Sequence, residues 1–229
     1  LSVLGDNLGE YNICKWRLFR WINGEYAELN DQGKNIGDFA PGAAFWLAAK
    51  SATSFNTGSG ESVPVADSIV IALQNGWNQI ADPFAFAVSW ASVKAQGSVA
   101  TDLWLYDSES KSFKQATTLQ PWQGYFVKAL ENNCKLIVYP LESGIAPKIA
   151  KTSSSEGWRM QITARTQTAA DAENFVGMAG NASDEYDRND HFEPPAIGDY
   201  VSLYFPHPNW AISGSYSSDI RRLNTEGGL

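Results

Sequence analysis

Few residues in this chain are of the types that build a catalytic centre. Among 229 residues there are two histidines, His191 and His207, and two cysteines, Cys14 and Cys134. Neither histidine lies in a Gly-x-Ser-x-Gly or His-Glu-x-x-His motif, and the four residues lack the spacing of zinc ligands. The sequence therefore predicts a protein that is not an enzyme. A hydrolase fragment that uses paired carboxylates is the minor alternative.

An acidic segment offers the best candidate metal ligands. Asp184, Asp187, Asn189 and Asp190 are closely spaced oxygen donors of the kind that Ca²⁺ binds. The segment lacks the glycine and the distal glutamate of the helix-loop-helix calcium motif, and Arg188 lowers its negative charge. A calcium site is one interpretation, and a solvated loop whose side chains bond to nearby backbone is the other. No other cofactor is expected.

Several tryptophans stand next to polar residues, a combination that suits sugar binding. An aromatic face can stack on a pyranose ring while a neighbouring amide bonds to its hydroxyl groups. The candidate residues are Trp122 with Gln123, Trp77 with Asn78, and Trp210. Trp122 follows a proline at the start of a predicted strand, so we expect it to be the most exposed of them. The alternative is that these aromatics form the core of a repeated fold.

Charge and composition exclude two classes of partner. The formal net charge is −8, and the 17 Lys and Arg residues are scattered, whereas nucleic-acid binding needs clustered cations. No apolar run approaches the roughly 18 residues of a membrane span. Aromatic residues make up 13% of the chain and charged residues 18%, which favours β-structure. The two cysteines are compatible with one disulfide or with two buried thiols.

One pattern occurs twice along the chain: a hydrophobic strand, a polar turn, an aromatic residue, and a proline followed by an aromatic-rich strand. The first copy has residues 16–21, the turn Asn23-Gly24 and residues 41–47, and the second has residues 103–107, a turn through Ser110 and residues 121–127. Asn-Gly is typical of hairpin turns. We interpret the pattern as a duplication, with copy one at residues 1–62 and copy two at residues 63–146. Coincidental β alternation is the alternative.

The rest of the chain predicts a linker and a second module. Proline and serine residues at 147–155 predict an exposed linker, and residues 156–229 predict a small β module. Truncation of this module at its C-terminal side is one interpretation. Apolar and polar residues alternate from Trp158 to Ala164, which predicts a strand with one dry face. The other expected elements are strands at 68–73, 76–80, 175–176 and 200–205, a loop at 180–195, and a short helix or loop at 88–95.

Two of these segments resemble a known kind of protein region. Residues 76–84, Gly-Trp-Asn-Gln-Ile-Ala-Asp-Pro-Phe, and residues 121–127, Pro-Trp-Gln-Gly-Tyr-Phe-Val, are similar to a pattern in β-rich regions near the C-termini of large secreted bacterial proteins. Those proteins often carry type IX secretion sorting tails. The resemblance implies export, a multidomain parent protein and an accessory role. Where the pattern often has Asn before Pro-Phe, this chain has Asp82.

Together the observations predict an all-β fold. Residues 1–146 are expected to form a duplicated β-sandwich or partly closed barrel, followed by a second, Ig-like β-sandwich. The predicted function is a non-catalytic structural or accessory segment of a larger secreted or cell-surface bacterial protein, with the neighbouring domains of that protein as partners. The alternative is a carbohydrate-binding module that serves an attached glycoside-active enzyme.

Overall fold

A computed structural model describes residues 2–30, 35–144 and 156–223 of the chain. The elements are α1 (Ser2–Leu8), β1 (Trp16–Ile22), β2 (Glu25–Glu28), β3 (Trp46–Ala49), β4 (Ile69–Ala72), β5 (Gly76–Ala81), β6 (Val88–Ser89), a 3-10 turn (Trp90–Ser92), β7 (Lys94–Gln96), β8 (Trp104–Asp107), β9 (Ser112–Gln115), β10 (Thr118–Leu119), β11 (Gly124–Ala129), β12 (Lys135–Val138), β13 (Gly157–Arg165), β14 (Ala170–Ala179), β15 (Phe205–His207), β16 (Gly214–Tyr216) and β17 (Ser218–Arg222). The all-β prediction is confirmed, and none of the described sheets closes on itself. Within these ranges no helix is long and apolar enough to cross a membrane.

The contacts divide the chain into two compact units. Unit 1 comprises residues 1–99 and 117–146, and unit 2 comprises residues 100–116 and 147–229. The sequence assigned all of residues 1–146 to one domain, whereas the structure groups the hairpin β8–β9 with unit 2. The reason is that β9 packs against β14, a strand of unit 2. The predicted linker at 147–155 lies outside the described residues.

The described strand pairs within unit 1 are antiparallel. Strand β1 lies between β2 and β3, β12 lies between β4 and β7, β5 pairs with β11, and β6 pairs with β10. The hairpin between β1 and β2 turns at Asn23 and Gly24, whose φ angles of 52° and 84° are both in the left-handed region. These values confirm the hairpin that the Asn-Gly pair predicts, because such turns need positive φ at both central residues.

A helix that the sequence did not predict packs against the core of unit 1. Leu4 and Leu8 of α1 pack against a buried cluster that includes Trp16 and Leu18. With seven residues and no acidic residue in its first turn, α1 is too short to be stable by propensity alone. Its helical form therefore depends on this tertiary contact, which a reading of local sequence cannot detect.

The two cysteines are free thiols. Cys14 is exposed and Cys134 is buried, and the Cys134 thiol donates to the carbonyl of Ser98 at 3.3 Å. Of the two alternatives that the sequence left open, the disulfide is not formed. Burial of both thiols is also wrong, because Cys14 lies at the surface.

Unit 2 contains one larger sheet and two hairpins. Strand β14 pairs antiparallel with β13 and parallel with β17, while β8 pairs with β9 and β15 with β16. Phe192 and Tyr216 are fully buried and stack at 4.4 Å between ring centroids, and Trp210 meets Tyr216 edge-on at 4.9 Å. This aromatic cluster is a compact core for the unit. An Ig-like topology stays a prediction.

Three predicted elements of local structure differ from those observed. The strand expected at 200–205 is limited to β15, because the Leu203 amide bonds to the Asp171 carboxylate instead of a neighbouring strand. The dry face expected on β13 is solvated at its start, where Trp158 and Met160 are each 52% exposed. The segment 88–95 forms two short strands around a single 3-10 turn.

Strands β13 and β14 approach so closely that Gly177 cannot carry a side chain. A Cβ atom there would lie 2.3 Å from the carbonyl oxygen of Trp158. We expect Gly177→Ala to lower the free energy of unfolding by about 1–3 kcal/mol, the usual cost of overpacking. Thermal unfolding followed by circular dichroism measures the effect. Gly180→Ala is the control, since its nearest contact would be 3.7 Å, and equal losses in both variants would contradict the expectation.

Candidate functional site

The turn before β11 holds Trp122 in a backbone conformation that tryptophan rarely adopts. The Gln123 amide donates to the carbonyl of Gln120 at 3.3 Å, which closes the turn. The hydroxyl of buried Tyr125 accepts from the Gln120 amide at 2.8 Å and donates to the Gln123 side chain at 3.2 Å. Trp122 has a φ of 67°, a region that costs an ordinary L-residue roughly 1–2 kcal/mol. Its side chain is 92% exposed.

The segment predicted as copy one contains a turn of the same kind, with a residue better suited to it. The Ala43 amide donates to the carbonyl of Ala40 at 3.0 Å, Pro41 stands at the second position, and Gly42 has a φ of 82°. Proline followed by a residue of positive φ is characteristic of type II turns, which favour glycine there. Gly42 fits this preference and Trp122 does not. Turn geometry alone therefore does not account for a tryptophan at position 122.

Trp122 forms one wall of an open groove in unit 1, which we call the Trp122 groove. The groove has a volume of about 360 Å³. The lining includes Glu61, Val63, Asp82, Phe84, Pro121 and Trp122. Asp82 follows directly after β5, and Phe84 is buried and stacks on Phe86 at 5.3 Å between centroids. The groove thus combines an exposed aromatic face with two carboxylates.

Asp82 lines the groove, and only one of its two carboxylate oxygens accepts a hydrogen bond from the described residues. Its Oδ1 accepts from the Phe84 amide at 2.9 Å, while Oδ2 is buried and meets no hydrogen-bond donor of the described residues. Burial raises the pKa of Asp82 to about 6, and the backbone amides of Phe84 and Val88 oppose that shift. A buried acceptor without a donor costs free energy, and the burial of Oδ2 keeps it out of reach of a ligand in this conformation.

The other sequence-predicted sugar contacts do not join this groove. Gln123 is exposed but is bonded to Tyr125. Trp77 is half-buried against Phe126 at 6.3 Å between centroids and lines a different cavity. Asn78 uses its amide within its own turn, where it bonds to the carbonyls of Gln74 and Gly76. Trp122 is therefore the one member of the set that these contacts leave open to a ligand.

Trp210, the remaining candidate, belongs to the core of unit 2. Its ring stacks on His207 with centroids 3.7 Å apart and planes 9° apart, and it is only 9% exposed. Arg221 lies over the same ring at 5.0 Å. Stacking of these groups explains the burial, and it leaves little of the ring for a ligand.

The acidic segment of unit 2 is bonded to its own backbone. Asp187 accepts from the amides of Ser183 and Asn189 at 2.5 and 2.6 Å. Asp190, 2% exposed, accepts from the amides of Asp187 and Ile220, both at 3.0 Å, and Asp184 is exposed. In the part of the chain that the structure describes, no three acidic, His or Cys side chains converge as metal ligands. The calcium interpretation stays a prediction.

Unit 2 also contains a pair of half-buried carboxyl groups, Asp171 and Glu193, that sequence patterns did not reveal. Burial, with the nearby Asp171 carboxylate as the next cause, raises the pKa of Glu193 to about 8, although Ser202 donates to it at 2.7 Å. Burial also raises the pKa of Asp171. The pocket beside them holds about 30 Å³, which is room for a water molecule or two. It admits no sugar ring, so it does not form a glycosidase cleft.

Comparison with known proteins finds no matching family model, no similar curated protein and no similar solved structure. The functional argument therefore depends on the residues of this chain and their geometry.

The raised pKa of Asp82 predicts a pH-dependent contribution to stability. The folded state holds the proton more tightly than the unfolded state, whose carboxyl titrates near 3.8. The contribution of the Asp82 carboxyl to the free energy of unfolding is therefore lost as the pH rises from about 4 to about 6, and it is not regained at higher pH. Asp82→Asn removes the charge, so its urea midpoint relative to wild type should be higher at pH 8 than at pH 4.

Exposed Asp67, also in unit 1, provides the control for this measurement. Asp67→Asn removes one carboxylate at an exposed position, so it measures how much of the pH effect comes from the change in net charge alone. If Asp82→Asn behaves in the same way, Asp82 is solvated in the folded protein and the groove lacks the unsatisfied acceptor described above.

Proposed function

We propose that this chain is a non-catalytic accessory segment of an exported bacterial protein, and that unit 1 binds a polysaccharide through the Trp122 groove. The resemblance of residues 76–84 and 121–127 to regions of secreted proteins supports export. The observation that carries the binding proposal is Trp122 itself, 92% exposed on a backbone with a φ of 67°. A large apolar side chain gains nothing for the fold in that position.

Strain of this kind is retained where a function benefits from it. The turn positions the indole at the rim of the groove, and the two hydrogen bonds of Tyr125 make the turn rigid. A rigid aromatic face loses little conformational entropy when a ligand stacks on it. Trp122 is thus suited to stack on a pyranose ring.

The carboxylates of the groove indicate which sugars fit. Asp82 and Glu61 line the groove, and no Lys or Arg does so among the described residues. Carboxylates accept hydrogen bonds from hydroxyl groups but repel other anions. The proposed ligand is therefore a neutral polysaccharide rather than an acidic one.

A role as a spacer is the second candidate. The burial of Trp104, Phe126 and Trp210 favours it, since most large aromatics of the described residues serve the two cores. The spacer role and the binding role differ in one respect that can be measured, which is whether Trp122 has a ligand.

Affinity electrophoresis of the 229-residue protein tests binding. Gels that contain xylan, galactomannan or mixed-linkage β-glucan should retard the wild type in at least one case, and Trp122→Ala should abolish the retardation. Tyr204→Ala is the control, because Tyr204 is an exposed aromatic of unit 2 at 50%. Release of reducing sugars from the same polysaccharides, measured in parallel, should be absent. If wild type and Trp122→Ala migrate alike in every gel, the spacer role replaces the binding role.

Replacement of Trp122 by glycine separates function from stability. Trp122→Ala and Trp122→Gly both keep the positive φ at this position. Alanine still bears its steric cost, whereas glycine does not. We expect the glycine variant to be more stable than the alanine variant by about 1 kcal/mol in urea unfolding, since glycine adopts positive φ without steric cost. Both variants should lose polysaccharide binding. A glycine variant less stable than the alanine variant would mean that the backbone at this position is not strained.

A further inference from the structure

Two carboxyl groups of unit 2 converge on one small cavity, which we call the Asp171 cavity. Leu203 donates its amide to Oδ2 of Asp171 at 2.7 Å. Ser202 donates its hydroxyl to Oε1 of Glu193, also at 2.7 Å. Ser202 and Leu203 are consecutive residues, so these two bonds bring the two carboxylates together. Both carboxylates line the same cavity of about 30 Å³.

Neither carboxylate has a counter-charge. In the described residues no ion pair reaches Asp171 or Glu193, and no hydrogen bond engages Oδ1 of the first or Oε2 of the second. Lys111, the one cationic residue of the described lining, is exposed. Burial is the main cause that raises the pKa of each carboxyl group, and the Asp171 carboxylate adds to the shift at Glu193. A positive charge between the two groups would offset both effects.

A β-bulge in β14 turns a third polar side chain to the same face as Asp171. Asn174 pairs with Ile162 of β13. Asp171 pairs with Ala164, so β14 advances by three residues where β13 advances by two. Residues that lie directly opposite each other point to the same face of a sheet, and Ile162 and Ala164 share a face because they are two positions apart. Asp171 and Asn174 therefore share that face, and bulges often re-aim side chains in this way next to functional sites.

The amide group of Asn174 is buried without a partner. Asn174 is 0% exposed, and neither its Oδ1 nor its Nδ2 makes a hydrogen bond with the described residues. Burial raises the pKa of Asp171, and the amides of Leu203 and of the Asn174 side chain, which lie beside that carboxylate, oppose the shift. An unbonded buried amide is costly, so a ligand that bonds to it would stabilise the fold.

From this arrangement we infer that the Asp171 cavity binds a calcium ion, with Oδ1 of Asp171, Oε2 of Glu193 and Oδ1 of Asn174 as protein ligands. Carboxylate and amide oxygens are the ligands that Ca²⁺ prefers, and two carboxylates balance the charge of a divalent ion. The hydroxyl oxygen of Ser202, next to Glu193, can add a further ligand. Ca²⁺ takes roughly six to eight oxygens, some of them from water, and the cavity has room for about one or two waters.

The size of the cavity favours Ca²⁺ over Mg²⁺. Mg²⁺ loses its waters reluctantly and usually keeps several of them, which a cavity of about 30 Å³ does not hold. The site is also distinct from the acidic segment at 184–190, whose buried carboxylates are bonded to their own backbone. This inference goes beyond the polysaccharide proposal and is independent of Trp122.

Thermal unfolding of the full chain with CaCl₂ as the probe tests the inference. After dialysis against a chelator, added CaCl₂ should raise the unfolding temperature with an apparent dissociation constant of about 10⁻⁴–10⁻³ M, the range of extracellular calcium modules. Calorimetric titration should give the same constant, and MgCl₂ should bind at least about tenfold more weakly. Glu193→Gln should weaken calcium binding by at least about tenfold. It should still fold, since glutamine resembles the protonated carboxyl group.

Two further variants keep the test specific. Asn174→Asp replaces the amide by a carboxylate, so it should bind calcium more tightly than wild type and be less stable than wild type in chelator. Asp184→Asn is the matched control, because it removes one exposed carboxylate from the acidic segment of the same unit, and it should leave the affinity unchanged. No calcium-dependent rise in wild type, equal effects of calcium and magnesium, or an equal loss in Glu193→Gln and Asp184→Asn would each overturn the inference.

Discussion

The pairing of β5 with β11 is the constraint on which the Trp122 groove depends. Ala81 at the end of β5 is the partner of Gly124 at the start of β11, so the residues just outside the ladder, Asp82 and Trp122, are brought to the same edge. A slip of one residue in this register would turn the buried face of β11 to solvent. Phe126 opposes such a slip, because its buried ring meets Trp21, Trp46 and Trp77 at 6.1–6.4 Å. The site is therefore positioned by packing several residues away from it.

Local sequence predicted the parts of the fold that local forces determine. The Asn23-Gly24 hairpin, strands β4 and β5, and the loop after residue 180 were all expected, because turn residues and β alternation act over a few positions. Helix α1 and the grouping of β8–β9 with unit 2 were not. Both depend on contacts with residues distant in the chain, and composition and periodicity carry no information about those contacts.

The features of the candidate sites also fall into those that local sequence determines and those that distant contacts determine. The exposure of Trp122 could be expected from the proline before it, whereas its positive φ could be inferred only by comparison with Gly42 in the matching turn. The raised pKa of Asp82 gave no signal in the sequence, because it comes from burial that only the fold supplies. Trp210 shows the opposite case: a tryptophan after a polar residue suggested a surface role, and its stacking on His207 instead makes it part of the core.

The two type II turns of unit 1 have similar backbones, but they differ in the substitutions that their surroundings permit at the residue with positive φ. A Cβ atom on Gly42 would lie 2.7 Å from the Ile71 side chain, so that turn is closed to larger residues by its neighbour as well as by its φ. Around Trp122 the side chain has free space, and only the backbone resists substitution. Glycine and tryptophan codons differ by a single base, GGG and UGG. A new side chain at such an open turn is thus within reach of one mutation, at a cost in stability that a folded domain can absorb.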